Sequence, residues 1–288
     1  MSFSPSDSPS AAFSFQERPV AGVPLQILVC EPLKKAGFLN AFSTRLGGVS
    51  PMPRNDLNLA YREDLSQHVD ENRRRFEEAL RSQPHVIMTM NQTHSSSVVL
   101  VDDHLRKSVV ENPHFEPDGD ALVSSYVDLL LAVKTADCLP ILIGDPISGS
   151  LAAVHAGWKG TSDRIAQKTV ERMAEQQAVD PRHLIAALGP SICGTCYEVG
   201  EEVANSLGRT ASFLSKRESH PGKYLLDLPL ANREQLMNAG VLPQNIHVSG
   251  ACTFLEPALF FSYRRDGANP SLKTGRLLSV IGRAASLS

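Results

Sequence analysis

The chain has 288 residues and no apolar run near the length that spans a bilayer, about 20 residues, which excludes a membrane helix. It also lacks a surplus of either charge: 28 Lys and Arg stand against 31 Asp and Glu, a formal net charge of −3. A nucleic-acid polymer needs a basic face, so no such partner is implied, whereas a small phosphorylated ligand held by one or two arginines remains compatible. Cysteine is scarce and odd in number: Cys30, Cys138, Cys193, Cys196 and Cys252. In a chain that is 42% hydrophobic, this points to thiols or metal ligands rather than a disulfide framework. Internal repeats and long linkers are absent too, and none of the nine histidines forms a His-x-His pair.

The start, "MSFSPSDSPSAAFSF", is Ser/Pro-rich without a sustained apolar core. It fits neither a secretory signal nor an Arg-rich transit peptide, so residues 1–20 are expected to be a disordered tail and the protein cytoplasmic. Residues 21–288 read as one domain. "LQILVC", "GFLNAFST", "HVIMTM" and "VVLVD" have strand character, and "SQHVDENRRRFEEALRS" is an amphipathic helix with Val69, Phe76 and Leu80 on one side. Leu129–Val133, Leu139–Ile143 and Leu151–His155 are strands. The last two are joined by a "GDPISG" turn that makes them antiparallel neighbours. A helix from about Asp163 to Gln177 is expected behind a Thr161 or Ser162 cap, with others near Glu198 and over "LPLANREQLMNAG". "HLIAALG", "NIHVSG", "FFSYRR" and "RLLSVIG" complete the strands. Without a regular strand–helix alternation, an α/β (α+β) mixed-sheet sandwich fits better than a doubly wound parallel sheet.

Three polar residues interrupt this pattern where an apolar strand meets a small-residue turn. They are His94 in "NQTHSSS", Cys138 in "TADCLP" and His155 in "AVHAGWKG". Two imidazoles and a thiolate suit zinc and can bind copper, and three protein ligands leave a fourth position open for chemistry. The wide spacing means that only a fold can join them; taken singly, each is as readily a satisfied polar residue or a small core thiol.

The segments "FSTRLGGVS", "NQTHSSSVV", "DGDALVS", "KTADCLPILI", "AAVHAGWKGT", "ALGPSICGTCYEVG" and "FFSYRRDG…TGRLLSVI" run in order from about residue 37 to 284. Together they resemble the purine nucleoside phosphorylase family, also called laccase-domain or multicopper polyphenol oxidase proteins or peptidoglycan editing factors. The resemblance implies one catalytic domain, a mixed sandwich related to the catalytic domain of cytotoxic necrotizing factor toxins, and His94, Cys138 and His155 as ligands to a metal, normally zinc. It further implies phosphorolysis of adenosine, inosine and methylthioadenosine, together with adenosine deamination. The partners would be small molecules, nucleoside and phosphate, with no membrane involved.

Roles for the neighbours follow by argument. Arg45, in a glycine-rich loop, either clamps phosphate through two parallel bonds or makes a surface ion pair. Gln92, two residues before His94, projects to the same side of an extended segment and suits a base or ribose. Asp137, beside Cys138, acts as a base or orients an imidazole; Asp120 does either or caps its turn. Trp158 stacks on a base or packs under a helix start. "CGTC" has redox spacing but no second cysteine pair for a zinc ribbon. "HFE" at 114–116 imitates a deaminase signature in a loop flanked by prolines. The alternatives in function are a Cys–His hydrolase or amidase acting on a peptidoglycan precursor, with Cys138 as nucleophile, and a copper-dependent phenol oxidase, for which the histidines are too scattered.

Overall fold

The computed structural model describes residues 10–52, 55–80, 86–112, 114–267 and 273–284. Two six-stranded sheets form the frame. The first runs, in spatial order, Phe13–Val20, Val23–Cys30, Phe38–Ser43, Leu277–Arg283, Leu129–Thr135 and Val86–Met88. The second runs Ile246–Val248, Ile185–Leu188, Leu139–Gly144, Leu151–Ala156, Ala121–Ser124 and Val98–Leu100. A small third sheet joins Glu198–Gly200, Lys223–Leu226 and Leu214–Lys216. Parallel and antiparallel pairs occur in both large sheets, as the sequence pattern implies.

Side-chain alternation explains the layering. In Leu129–Thr135, the residues Leu129, Leu131 and Val133 face the second sheet, where they pack with Leu122, Leu142, Leu151 and Ala153. Ala132 points the other way, toward helix Ser66–Leu80, with Phe76 at its centre. The outer face of the second sheet presents Ile141, Ile143, Ala152 and Val154 to helices Ile165–Gln177 and Leu228–Asn238. Helix, sheet, sheet and helix thus stack as four layers. The central strands carry unbroken apolar runs because both of their faces are covered. No described helix is long and apolar enough to cross a membrane.

Several expectations need correction. The tail prediction reaches too far: Phe13–Val20 is a strand paired along its length with Val23–Cys30, while residues 1–9 lie outside the described residues. It is an edge strand, half-exposed and with Pro19 near its end, so its alternation is weak. The helix expected from about Asp163 to Gln177 is present but starts at Ile165, without the Thr161 or Ser162 cap. Trp158–Ser162 forms one turn, Arg164 adopts a left-handed conformation, and Ile165–Gln177 follows. Thr161 lies inside the first piece, not at a cap. Glu198–Gly200 pairs as a strand, and the helix starts only at Glu201, beyond Gly200. "FFSYRR" is not a strand, because the Ser262 side chain accepts from the Arg265 amide and opens the short helix Tyr263–Asp266. Helix Asp103–Glu111, capped by Asp102, goes unread in the sequence.

Phe76 is fully buried between the first sheet and its helix. Phe76→Ala is expected to cost about 3–5 kcal/mol, the range for deleting a core aromatic ring. Equilibrium denaturation measures this, and a loss under about 1 kcal/mol would mean that the helix does not seal that face.

Candidate metal centre

The second sheet builds the site. Its register pairs Leu139 with Ala156 and Pro140 with His155, so Cys138 and Gly157 are the next residues out at the sheet's rim. Strand periodicity puts His155 on the parity of Leu151 and Ala153, which face the first sheet. The neighbouring strand begins at Ala121, opposite Val154, and the His155 amide donates to the Asp120 carbonyl at 2.7 Å. Asp120 therefore stands beside His155 by register alone.

His94 arrives from a loop and closes the group. One ligand atom each from His94, Cys138 and His155 lies within 4.8 Å of the others. The two imidazoles meet edge to face, with ring centroids 5.0 Å apart. Zn–N and Zn–S bonds of about 2.0–2.3 Å place donors of one tetrahedron some 3.5 Å apart, so the group fits a single ion. Gly157 leaves the space: a Cβ there would lie 3.1 Å from Cys138 Sγ and 3.5 Å from His94 Cδ2. His94 is exposed, Cys138 half-buried and His155 buried, so the group opens to solvent on the His94 side.

Asp120 organises these donors. Its fully buried carboxylate accepts from His155 Nδ1 at 2.8 Å, the His94 amide at 3.2 Å, the Ser95 amide at 2.6 Å, Ser95 Oγ at 2.7 Å and Thr93 Oγ1 at 3.3 Å. With Nδ1 carrying its proton toward Asp120, Nε2 of His155 is left to face the ion. Burial by itself would raise the Asp120 carboxyl, but the bonds from His155 and Ser95 outweigh it and bring the pKa down to about 2. Burial would likewise raise the Cys138 thiol. The adjacent His155 charge, with hydrogen bonds from His155 and His94, overcomes that and holds it near 6. His155 moves the opposite way, to about 9, because Cys138 and Asp120 outweigh its own burial. The pair is thus built as a thiolate facing an imidazolium, ready to exchange that proton for a cation.

Two of the seven described non-glycine residues with positive φ lie at the same place. His94 and Asp137 both have positive φ, 59° and 87°, although neither is glycine. The Gln92 side chain is turned to the backbone of the strand Leu129–Thr135. Its side-chain amide donates to the Lys134 carbonyl at 2.8 Å and accepts from the Lys134 amide at 2.7 Å, like an added rung on the sheet. Asp137 does not orient an imidazole. Its Oδ1 accepts from Thr253 Oγ1 and its Oδ2 from the Arg264 amide, both at 2.6 Å, while its carbonyl accepts from the Ile192 amide. It ties two loops and the first turn of the helix Tyr263–Asp266 to the strained turn before Cys138. The orienting role belongs to Asp120.

Arg45 is also placed otherwise than as a phosphate clamp. Its guanidinium grips Asp56 through Nε at 3.1 Å and Nη2 at 2.6 Å, donates to the Met52 and Pro257 carbonyls, and lies over Phe261. Little donor capacity remains for an anion. Trp158 packs against the helix-side core, with Lys159 Nζ 5.7 Å from its ring centroid. Glu116 of "HFE" pairs with Lys134 and Thr89, away from the donors. The sequence reading missed Arg276 and Tyr197. Burial and then the nearby Arg62 charge lower the Arg276 pKa, with Glu63 and then Cys138 acting against them; burial and then Cys138 raise that of Tyr197. Both residues therefore lie within electrostatic reach of the thiolate.

Fold and donor set together define a single-domain α/β sandwich with an open His–His–Cys group, suited to a metal, at the rim of one sheet. The chain belongs to the family described as multi-copper polyphenol oxidoreductase laccase, which matches residues 39–284. It is 44% identical over 254 residues to a protein of Deinococcus radiodurans named purine nucleoside phosphorylase, covering 87% of this chain and 92% of that one. It is 41% identical over 196 residues to one from an unknown prokaryote named adenosine deaminase RL5, covering 67% and 73%. The crystal structure of YlmD from Geobacillus stearothermophilus superposes with a TM-score of 0.82 at 34% identity, over 94% of this chain and 99% of that one.

Asp120→Asn keeps the size of the side chain but removes the charge that orients His155. Zinc affinity is expected to fall about 10–100-fold, the usual effect of losing such a partner. Competition with a chromophoric chelator reads this directly, and unchanged affinity would show that Asp120 serves only the turn.

Proposed function

We propose that this protein is a zinc-dependent enzyme of purine nucleoside metabolism, performing phosphorolysis of adenosine, inosine and methylthioadenosine together with hydrolytic deamination of adenosine. The observation that carries the reading is the His94–Cys138–His155 group, open on one side, in a chain whose relatives bear both activity names. A zinc ion held by the three residues would supply Lewis acidity at the open position. Copper remains compatible with the same donors.

The chain's own residues supply the rest. Asp120 and His155 keep a proton fixed on Nδ1, and the Cys138 thiolate would neutralise part of the charge of an ion held there. The phosphate seat moves from Arg45 to Arg276. One nitrogen of Arg276, Nη1, donates to the Thr274 and Gly275 carbonyls, which fixes the side chain, and its charge lies within reach of the Cys138 thiolate. A phosphate held there would face the ribose as the glycosidic bond loosens and positive charge develops on the sugar. Tyr197, with the Arg264 guanidinium 5.0 Å from its ring centroid, offers a flat wall for a purine.

One observation favours a second reading. The Cys138 thiolate beside protonated His155 is also the arrangement of a Cys–His hydrolase or amidase, for which a peptidoglycan precursor is the candidate substrate. Chelation separates the two, since it abolishes the first activity and leaves the second intact or enhanced.

Adenosine is incubated with the protein in the presence and absence of phosphate, and adenine, inosine and hypoxanthine are resolved by chromatography. Phosphate-dependent adenine release that stops on chelation is expected; turnover that survives complete zinc removal would reject the metal-dependent reading. Arg276→Ala is expected to lower phosphorolysis efficiency about ten- to a hundredfold, from the roughly 1.5–3 kcal/mol of a charge-assisted bond. Inosine formation should fall much less. Equal losses in both products would take the phosphate role away from Arg276.

A further inference from the structure

The sequence offers "CGTC" without a second cysteine pair, and the fold supplies a third thiol. Strand Ile185–Leu188 leads into the loop that carries Cys193 and Cys196. Strand Ile246–Val248 lies parallel beside it and leads to Cys252. Parallel pairing sends both loops out at one edge of the sheet, and an isolated parallel bridge between Ser191 and Cys252 prolongs the contact. The three sulfurs lie within 4.8 Å of one another, and all three residues are free thiols.

The details around the sulfurs resemble a ligand shell more than a chance cluster. The Cys193 amide donates to Cys252 Sγ at 3.3 Å, and the Thr195 hydroxyl lies 3.2 Å from Cys193 Sγ and 3.9 Å from Cys196 Sγ. Bonds of this kind stabilise and orient coordinated thiolates. Zn–S bonds near 2.3 Å space tetrahedral sulfurs about 3.8 Å apart, well inside the observed limit. Cys252 is buried at 4% exposure, whereas Cys193 and Cys196 are half-buried, so an ion has a way in from solvent. The Asp227 carboxylate packs against the same loop, since a Cβ on Gly194 would lie 3.0 Å from its Oδ2, and it adds negative charge nearby.

We propose that Cys193, Cys196 and Cys252 form a second metal site, for a thiophilic cation such as Zn²⁺, distinct from the His94–Cys138–His155 group. Binding would release the thiol protons to solvent and involve no change of oxidation state. With three protein ligands its fourth position would be left to water, and its effect would be to brace the fold. Ile192, next to Cys193, donates its amide to the Asp137 carbonyl, and Thr253, next to Cys252, donates its hydroxyl to the Asp137 carboxylate. An ion joining the two loops would brace the strained turn that presents Cys138. The inference does not depend on the nucleoside reading.

The test is zinc content per chain, measured on full-length protein after gel filtration. Two equivalents are expected for the wild type, one for His94→Ala, one for Cys252→Ser, and almost none for the double variant. Cys193→Ser and Cys196→Ser, at half-exposed positions, repeat the measurement should Cys252→Ser not fold. Cobalt added to the metal-free reduced protein gives a second readout. Its thiolate charge-transfer band should lose most of its intensity in any of the three serine variants, because Cys138 alone would remain in a filled site. A single wild-type equivalent that the serine variants leave untouched would overturn the second site. So would a Cys193–Cys196 disulfide found by mass spectrometry in protein prepared under nitrogen, since a bonded pair cannot ligate. A single wild-type equivalent that His94→Ala leaves untouched and the serine variants remove marks failure of the first site and leaves this one standing.

Discussion

The Asp120 carboxylate is the constraint on which the rest of the site depends. It is wholly buried, carries its charge, and accepts from donors on two separate segments, the loop at residues 93–95 and the strand ending at Ala156. A buried carboxylate without partners is costly, so the fold that buries Asp120 must also bring His155 and the His94 loop to it. The energetic demand of one residue thereby becomes a geometric instruction for two others. Cys138 needs no such arrangement, because the strand register already sets it beyond Pro140, opposite Gly157.

The strain at His94 and Asp137 follows from the same economy of space. Each lies next to or within the donor group; the His94 amide is held by Asp120, and Asp137 is held by bonds to Thr253, Arg264 and Ile192. Conformations of this kind persist only where the surroundings over-determine them. Around Asp137 those surroundings are the loops at Ile192 and Thr253, which also carry the second group of thiols, and the Arg264 amide at the start of the helix Tyr263–Asp266. The two groups of soft ligands are therefore neighbours through backbone, although they share no side chain.

The strands that are buried on both faces, Leu129–Thr135, Leu139–Gly144 and Leu151–Ala156, were legible because their apolar runs are unbroken and bounded by turns. The interruptions at Cys138 and His155 stood out against those runs for the same reason. Elements whose stability comes from one exposed edge or one cap were not legible, as Phe13–Val20 and Asp103–Glu111 show. For Arg45, Gln92 and Asp137, residue type suggested a ligand contact, while the actual partners are backbone groups, a carboxylate and a hydroxyl brought close only by the fold. Asp120 and Asp137 look equivalent in sequence, each next to a strand of the same sheet. What separates them is register, and register is a property of pairs of strands. Cys252 is invisible beside "CGTC" for the same reason, since 56 residues separate it from Cys196 and only the parallel pairing brings it near.

The placement of strand Leu277–Arg283 has a consequence for biosynthesis. It does not lie at the margin of the first sheet but between Phe38–Ser43 and Leu129–Thr135, hydrogen-bonded to both. Until that strand has left the ribosome, the sheet exists as two halves with open edges along their length, each a template for the wrong neighbour. The second sheet has no such dependence, as its last strand, Ile246–Val248, is added at an edge. A nascent chain would therefore hold every strand of the sheet that carries the His–His–Cys donors before it holds the strand that joins the two halves of the first sheet.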